Sequence, residues 1–158
     1  MSRAFTREDD NEGAISDIGE RPVSANRNLV TPAGLAMIDA EVSDLREKLA
    51  RAEADGDREK IALMSRDLRY WNARRETAEL VEPDTTDGVV RFGMTVDIVN
   101  DDGERHSWTL VGEDETDVSK GKISHVSPMA KALFGKAVGE VATVNGKEWE
   151  ILSIGAPA

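Results

Sequence analysis

The stretch that most restricts the fold lies between Leu35 and Leu80, where two apolar patterns mirror each other. Leu35, Ile38, Val42, Leu45 and Leu49 alternate steps of three and four, which lines their side chains on one seam of a helix. Ile61, Met64, Leu68, Trp71 and Ala78 keep the same rhythm, with Arg75 at the one seam position that is not apolar. If the chain doubles back, Leu49 faces Met64, Leu45 faces Leu68, Val42 faces Trp71 and Leu35 faces Ala78. The reversal then falls at Gly56 and Asp57. Glycine ends a helix in the left-handed conformation at little cost, and aspartate is a preferred N-cap for the next one. The spacing therefore predicts an antiparallel helical hairpin, a finger whose tip carries the carboxylates of Asp55, Asp57 and Glu59.

Leu29-Val30-Thr31-Pro32 opens the first arm, with Thr31 as N-cap and Pro32 in the first helical position, where a missing N–H costs nothing. This arm is acidic on its outer face through Asp39, Glu41, Asp44, Glu47 and Glu53. The second arm is basic, with Arg58, Lys60, Arg66, Arg69, Arg74 and Arg75. Two readings of these charges stand side by side: a solvated, salt-bridged flank, or a tip-proximal set (Arg58, Lys60, Arg66, Arg69) that meets a polyanion. The whole chain has a net charge of -11, so its main affinity is not for a nucleic-acid backbone; a partner with a basic groove suits it better.

The second arm is expected to end near Val81, since Pro83 cannot sit inside a helix, and residues 83–88 are polar linker. After it the apolar period changes to two. Val89–Phe92, Thr95–Val99, Glu104–Val111, Lys122–His125, Glu140–Val144 and Lys147–Ile154 read as strands, with turns at Asn100-Asp101-Asp102-Gly103 and Asn145-Gly146. Ser127 and Pro128 start one short helix that Gly135 stops. The fold class is α+β: a tail over 1–28, disordered or loosely docked, with Phe5, Ile15 and Ile18 as possible anchors; a hairpin over 29–82; a linker over 83–88; and a small module over 89–158. The absence of cysteine excludes disulfides, thiol nucleophiles and Cys-ligated zinc. No apolar run approaches a membrane span, and the N-terminus lacks the apolar core of a signal peptide, so the expectation is a soluble, cytoplasmic monomer.

Ile123 to Val141, preceded by Leu-Val-Gly-Glu-Asp-Glu at Leu110 to Glu115, resembles the C-terminal domain of the bacterial Gre transcript cleavage factors. Val90 to Gly112 is similar to the same family, and Leu29 to Leu45 resembles the start of its coiled coil. The likeness covers about Leu29 to Ile154. It implies an FKBP-like C-terminal domain that docks on RNA polymerase at the rim of the secondary channel, and a coiled coil that enters the channel. Docking is expected from Gly112, Glu113, Asp114, Ser127, Pro128 and Met129, so a fragment starting near Gly88 should keep polymerase affinity.

In the Gre family the coiled-coil tip follows a pattern like Gly-Asp-x-x-Glu-Asn, whose acidic pair is thought to hold the second magnesium ion for hydrolysis of backtracked RNA. The matching stretch here is Gly56-Asp57-Arg58-Glu59-Lys60-Ile61. Asp57 is kept as a candidate magnesium ligand, and equally as a plain N-cap. Lys60 stands where the second carboxylate belongs, removing a hard oxygen ligand and adding a repelling charge. The arms also look shorter than the family norm by about two turns each, a reach deficit of about 10 Å. The resemblance thus implies a polymerase-binding factor, not an enzyme in its own right. It would have no cofactor beyond a share in the polymerase magnesium, indirect contact with nascent RNA, and weak or no stimulation of cleavage. Alternatives are a competitor of the long-armed Gre factors or a regulator resembling the Rnk proteins of nucleoside diphosphate kinase. FKBP-like folds can also be prolyl isomerases, but the sequence offers no evident aromatic-lined pocket, Phe92, Trp108, Phe134 and Trp149 being usable as core. His106 and His125 lack a second ligand at a sensible spacing and read as structural.

Overall fold

The computed structural model describes residues 18–156. They divide into two units, one of residues 18–25 with Met37–Thr77, the other of Asn26–Ala36 with residues 78–156. Phe5 and Ile15, two of the expected anchors, lie outside the described residues.

The first unit is the helical finger. Helix α1 runs over Pro32–Asp55 and α2 over Arg58–Thr77. Between them Gly56 takes a φ of 65°, and its amide and that of Asp57 bond back to the carbonyls of Glu53 and Ala52, the left-handed helix stop that the sequence calls for. Asp39 on α1 and Arg75 on α2 form an ion pair at 2.6 Å. That pair lies three residues before Val42 and four after Trp71, which is the helical neighbour of the expected Val42–Trp71 pairing.

Ile38, Val42, Leu45 and Ala52 are buried on α1, whereas Ile61, Met64, Leu68 and Trp71 on α2 are half-buried. Two helices that share one seam leave its edges open to water, so burial on α2 is partial. The arginine at the heart of α2 is Arg74, 1% exposed, and not Arg75, which is exposed and paired with Asp39. Seam spacing put Arg75 inside; the turn of the helix puts its neighbour there. Ahead of the hairpin, residues 18–25 belong to this unit, and their charged side chains bond to α2.

The second unit is built on a five-stranded sheet of order β5-β4-β3-β7-β6, with β3 at Thr95–Asn100, β4 at Arg105–Val111, β5 at Lys122–Ser124, β6 at Val141–Val144 and β7 at Lys147–Gly155. All pairings are antiparallel except β4 with β5. Asn145 and Gly146, both at positive φ, make the tight β6–β7 turn. The short helix α3, Pro128–Leu133, covers one face, and its Ala130 and Leu133 join Val90, Val96, Ile98, Leu110, Ala142, Trp149 and Ile151 in the core. Alternation along β3, with Val96 and Ile98 buried and Asp97 exposed, is the period of two seen in the sequence.

Three details differ from the sequence reading. Helix α2 stops at Thr77, not near Val81, because Glu79–Leu80 forms a two-residue strand, β2, parallel to β1 at Leu29–Val30. Val89–Phe92 does not join the sheet: Gly93, at a φ of 85°, turns the chain away, and Val90 instead exchanges backbone bonds with Gly135 and Lys136 after α3. Residues Asn26–Ala36, read as tail and helix start, belong to the sheet unit.

Candidate functional site

Two regions collect the residues singled out by sequence: the finger tip and one end of the sheet unit.

At the tip, Asp57 is the N-cap of α2. Its Oδ1 accepts the Lys60 backbone N–H at 3.2 Å, and Lys60 Nζ stands 3.9 Å from its Oδ2. One oxygen of the carboxylate is thus taken by the backbone N–H, and the other faces the ammonium, of a single residue, the one at the second acidic position of the family pattern. Asp55 and Glu59 are exposed. Asp55 lines a cleft of about 380 Å3 together with Lys48, Arg51, Ala52, Lys60 and Met64, so three of the six side chains around it are cationic. Among the described residues, no group of three or more His, Cys, Asp and Glu side chains is arranged to hold a metal ion. Arg66 is engaged with Asp67 and Arg69 with Glu20, while Arg58 is exposed.

In the sheet unit, the parallel pairing of Val111 with Ser124 sets the continuations of β4 and β5 at the same end. Gly112-Glu113-Asp114 and Ser127-Pro128-Met129 therefore share that end. Ser127 Oγ accepts the Ala130 N–H at 3.3 Å and so caps α3; Pro128 is exposed; Met129 packs against the core. Glu113 Oε1 accepts from Asn26 Nδ2 at 2.9 Å.

The residue that fixes this end is Glu115, the last of the Leu-Val-Gly-Glu-Asp-Glu motif, to which sequence reasoning assigns no role. Its carboxylate accepts the Thr31 N–H at 3.1 Å, the Thr31 hydroxyl, and the Gly112 N–H at 3.0 Å, while Thr31 Oγ1 accepts from the Gly34 N–H at 3.0 Å. One side chain thus ties the start of α1 to the end of β4. The approach requires glycine at two positions. A Cβ on Gly34 would lie 2.1 Å from Glu115 Cδ, and one on Gly112 would lie 2.3 Å from the Leu29 carbonyl oxygen.

Beside these segments opens a cavity of about 440 Å3. Leu29, Phe92, Leu110, Val126 and Phe134 give it apolar walls, and Asn26, Arg27, His125 and Lys131 give it a polar rim. This corrects the expectation that the module lacks an aromatic-lined pocket. Phe92 is buried, but Phe134 is 52% exposed and is not core; it also borders a second cavity of about 430 Å3, with Arg91 stacked on its ring at 5.3 Å. A Phe on the residue after a six-residue helix gives no periodic signal, and Leu29 reaches the wall only through the β1–β2 pairing, a contact remote in sequence.

His125 packs edge-on against Phe92 at 5.5 Å, and its Nε2 is buried with no hydrogen-bond partner among the described residues. Burial pushes its imidazole below the ordinary range near 6.5, against the opposing pull of the Glu113 charge and a bond to the Arg27 backbone. The folded state therefore holds this ring neutral more firmly than the unfolded chain does. Its contribution to stability is complete above about pH 6.5 and is lost as the pH falls from there toward the lowered folded value. Denaturant midpoints should drop more between about pH 7.5 and pH 5.5 for the native chain than for His125→Gln; equal drops would show that the ring does not titrate as placed.

Residues 75–156 match the family described as "Transcription elongation factor, GreA/GreB, C-term". The transcription elongation factor GreA of Ruegeria pomeroyi is 32% identical over 148 residues, covering 79% of this chain and 95% of that protein. Only part of this 158-residue chain fills a 148-residue alignment, so between the same ends the relative carries residues that this chain lacks. The GreA of Thioalkalivibrio sulfidiphilus is 35% identical over 121 residues, covering 72% of this chain and 75% of that protein. Among solved structures, Thermus aquaticus Gfh1 aligns with 27% identity and a TM-score of 0.40, covering 83% of this chain and 100% of that one. Among the described residues no helix is long and apolar enough to cross a membrane. With one family matched over half the chain and relatives above 30% identity along most of their own length, the chain belongs to the GreA/GreB family of transcription elongation factors.

Proposed function

We propose that this chain binds bacterial RNA polymerase through the cavity end of its sheet unit, places its helical finger in the secondary channel, and modulates transcription with little or no stimulation of RNA cleavage. The observation that carries the last clause is the state of Asp57. A carboxylate that caps its own helix and faces an ammonium offers a divalent cation one compromised oxygen, where magnesium asks for hard, unopposed oxygen ligands. The tip residues do not fit a magnesium site, and no step of a cleavage reaction is assigned to them. The finger is also short: α1 has 24 residues and α2 has 20, which at 1.5 Å per residue makes arms of about 36 and 30 Å.

The test is RNA cleavage in a stalled, backtracked elongation complex. Native protein should add little cleavage. Asp57→Asn should change nothing, since asparagine caps as well as aspartate. Lys60→Glu restores the acidic pair and should still give no cleavage if the finger stops short. Strong magnesium-dependent cleavage by the native chain, abolished in Asp57→Asn, would sink this reading.

A further inference from the structure

Arg21 rests on the second arm of the finger between two groups that favour a cation. Its guanidinium lies 4.0 Å over the Tyr70 ring and 5.7 Å from that of Trp71, and its Nη1 donates to Asp67 Oδ1 at 3.4 Å. The residue before it, Glu20, meets the opposite charge: Oε2 accepts from Arg69 Nε at 3.0 Å and Oε1 from Arg69 Nη2 at 2.5 Å. Asp67, Tyr70 and Trp71 follow helical spacing and so share one face of α2, which Arg69 flanks. Tyr70 and Trp71 meet edge to face at 5.1 Å, which steadies the ring that Arg21 covers.

We infer that this face of α2 is a docking site for a protein segment in which a carboxylate residue is followed directly by an arginine, and that residues 18–25 hold it closed in the free chain. The site is of mixed sign. Arg69 presents a planar fork that takes a carboxylate by two parallel bonds. Tyr70 offers the electron-rich face of its ring, and Asp67 Oδ1, although already bonded by Arg66, accepts the Arg21 guanidinium as well. A peptide supplies both charges on adjacent residues, at a spacing that Glu20 and Arg21 show to fit. A nucleic-acid strand brings negative charge alone: it would leave the ring face and Asp67 without their cation and set phosphates near a carboxylate. A uniformly acidic segment fails for the same reason.

The contacts that close the site are of a kind that exchanges. Glu20 and Arg69 are both more than half exposed, and of residues 18–25 only Ile18 and Arg21 are not exposed. Surface ion pairs and a cation over a ring are each weak alone, so the segment holds its place through the high local concentration that tethering gives it. A partner segment brought beside the finger by contacts elsewhere gains the same advantage and displaces it.

The experiment needs no polymerase, so its failure is distinct from failure of the polymerase reading. It uses the full-length chain and a fluorescent peptide with the sequence of residues 18–25, blocked at both ends, read by anisotropy, with helix content checked by circular dichroism. Glu20→Gln with Arg21→Ala empties the site without altering it and leaves the net charge unchanged. This variant should bind the peptide about fivefold or more tightly than the native chain, whose own segment competes. Adding Arg69→Ala or Asp67→Asn to it should each cancel most of the gain, and a peptide with the two residues in the reverse order, arginine before glutamate, should show no gain. Asp67→Asn decides between ligands, because a surface that takes only anions binds them better without that carboxylate. Equal affinity of the native chain and the double variant would show that residues 18–25 do not hold the site closed. Tighter binding on adding Asp67→Asn, or displacement of the peptide by equal concentrations of a short single-stranded RNA or of polyglutamate, would overturn the assignment to a mixed-charge protein segment.

Discussion

Glu115→Ala should destabilise the sheet unit by about 3 kcal/mol. Its carboxylate receives three donors, the Thr31 N–H, the Thr31 hydroxyl and the Gly112 N–H, and bonds to a charged acceptor contribute about 1.5–3 kcal/mol each when well formed. The side chain is partly exposed, and water can reach some of these donors after truncation, so the total falls well short of the sum. The loss also uncouples segments far apart in sequence. Thr31, freed from Glu115, still caps α1 through Gly34, so the helix itself should survive; what loosens is its attachment to the end of β4. Glu115→Gln, with the same shape and no charge, should cost about 1 kcal/mol. Hydrogen exchange at β4 and β5 and the unfolding midpoint in urea read both variants. A Glu115→Ala chain as stable as the native one would mean that the carboxylate bonds do not persist in solution. Gly112→Ala reaches the same joint from the other side: no side-chain rotation relieves a Cβ set 2.3 Å from a backbone carbonyl, so β1 must move away from β4.

This joint marks where the sequence stops being informative. The hairpin is legible because its signals are local: a three-four apolar rhythm, a glycine and an aspartate at the reversal, and a Thr-Pro helix start. The strands of the sheet unit are legible for the same reason, through alternation and the Asn-Gly turn. Glu115 is not, since a carboxylate among other carboxylates looks the same whether it faces water or receives two donors from Thr31, far away in sequence, and one from Gly112 nearby. The β1–β2 strand pair is hidden too. Two residues are too few to show a period, and their parallel pairing depends on two helices bringing the chain back. Arg74 illustrates a finer limit, since adjacent arginines cannot be sorted into core and surface by a seam that tolerates a drift of one position. At the tip the cap is legible as one of two readings of Asp57; the hydrogen bond to Lys60 is geometry that residue identity alone does not contain.

The membership of Asn26–Ala36 in the sheet unit changes how docking must be tested. A fragment beginning at Gly88 lacks Leu29 from the cavity wall and Thr31 from the Glu115 joint, so its loss of binding would not distinguish a lost surface from a lost fold. Phe134→Glu in the full-length chain separates the two. The ring is half in water and is not a member of the buried core, so the fold should tolerate the change. It also lines two neighbouring cavities of this unit, where an exposed aromatic among cationic neighbours is the usual form of an interface anchor. If polymerase docks here, putting a carboxylate at this position should weaken binding by about tenfold or more, because an apolar pocket must then desolvate a charge. Lys131→Ala, on the polar rim, should cost much less. Binding of purified polymerase to the labelled full-length variants, with sheet-unit stability checked in parallel, reads the result. Native affinity in a folded Phe134→Glu chain would move the docking surface away from the cavity, toward the Gly112–Asp114 and Ser127–Met129 segments alone.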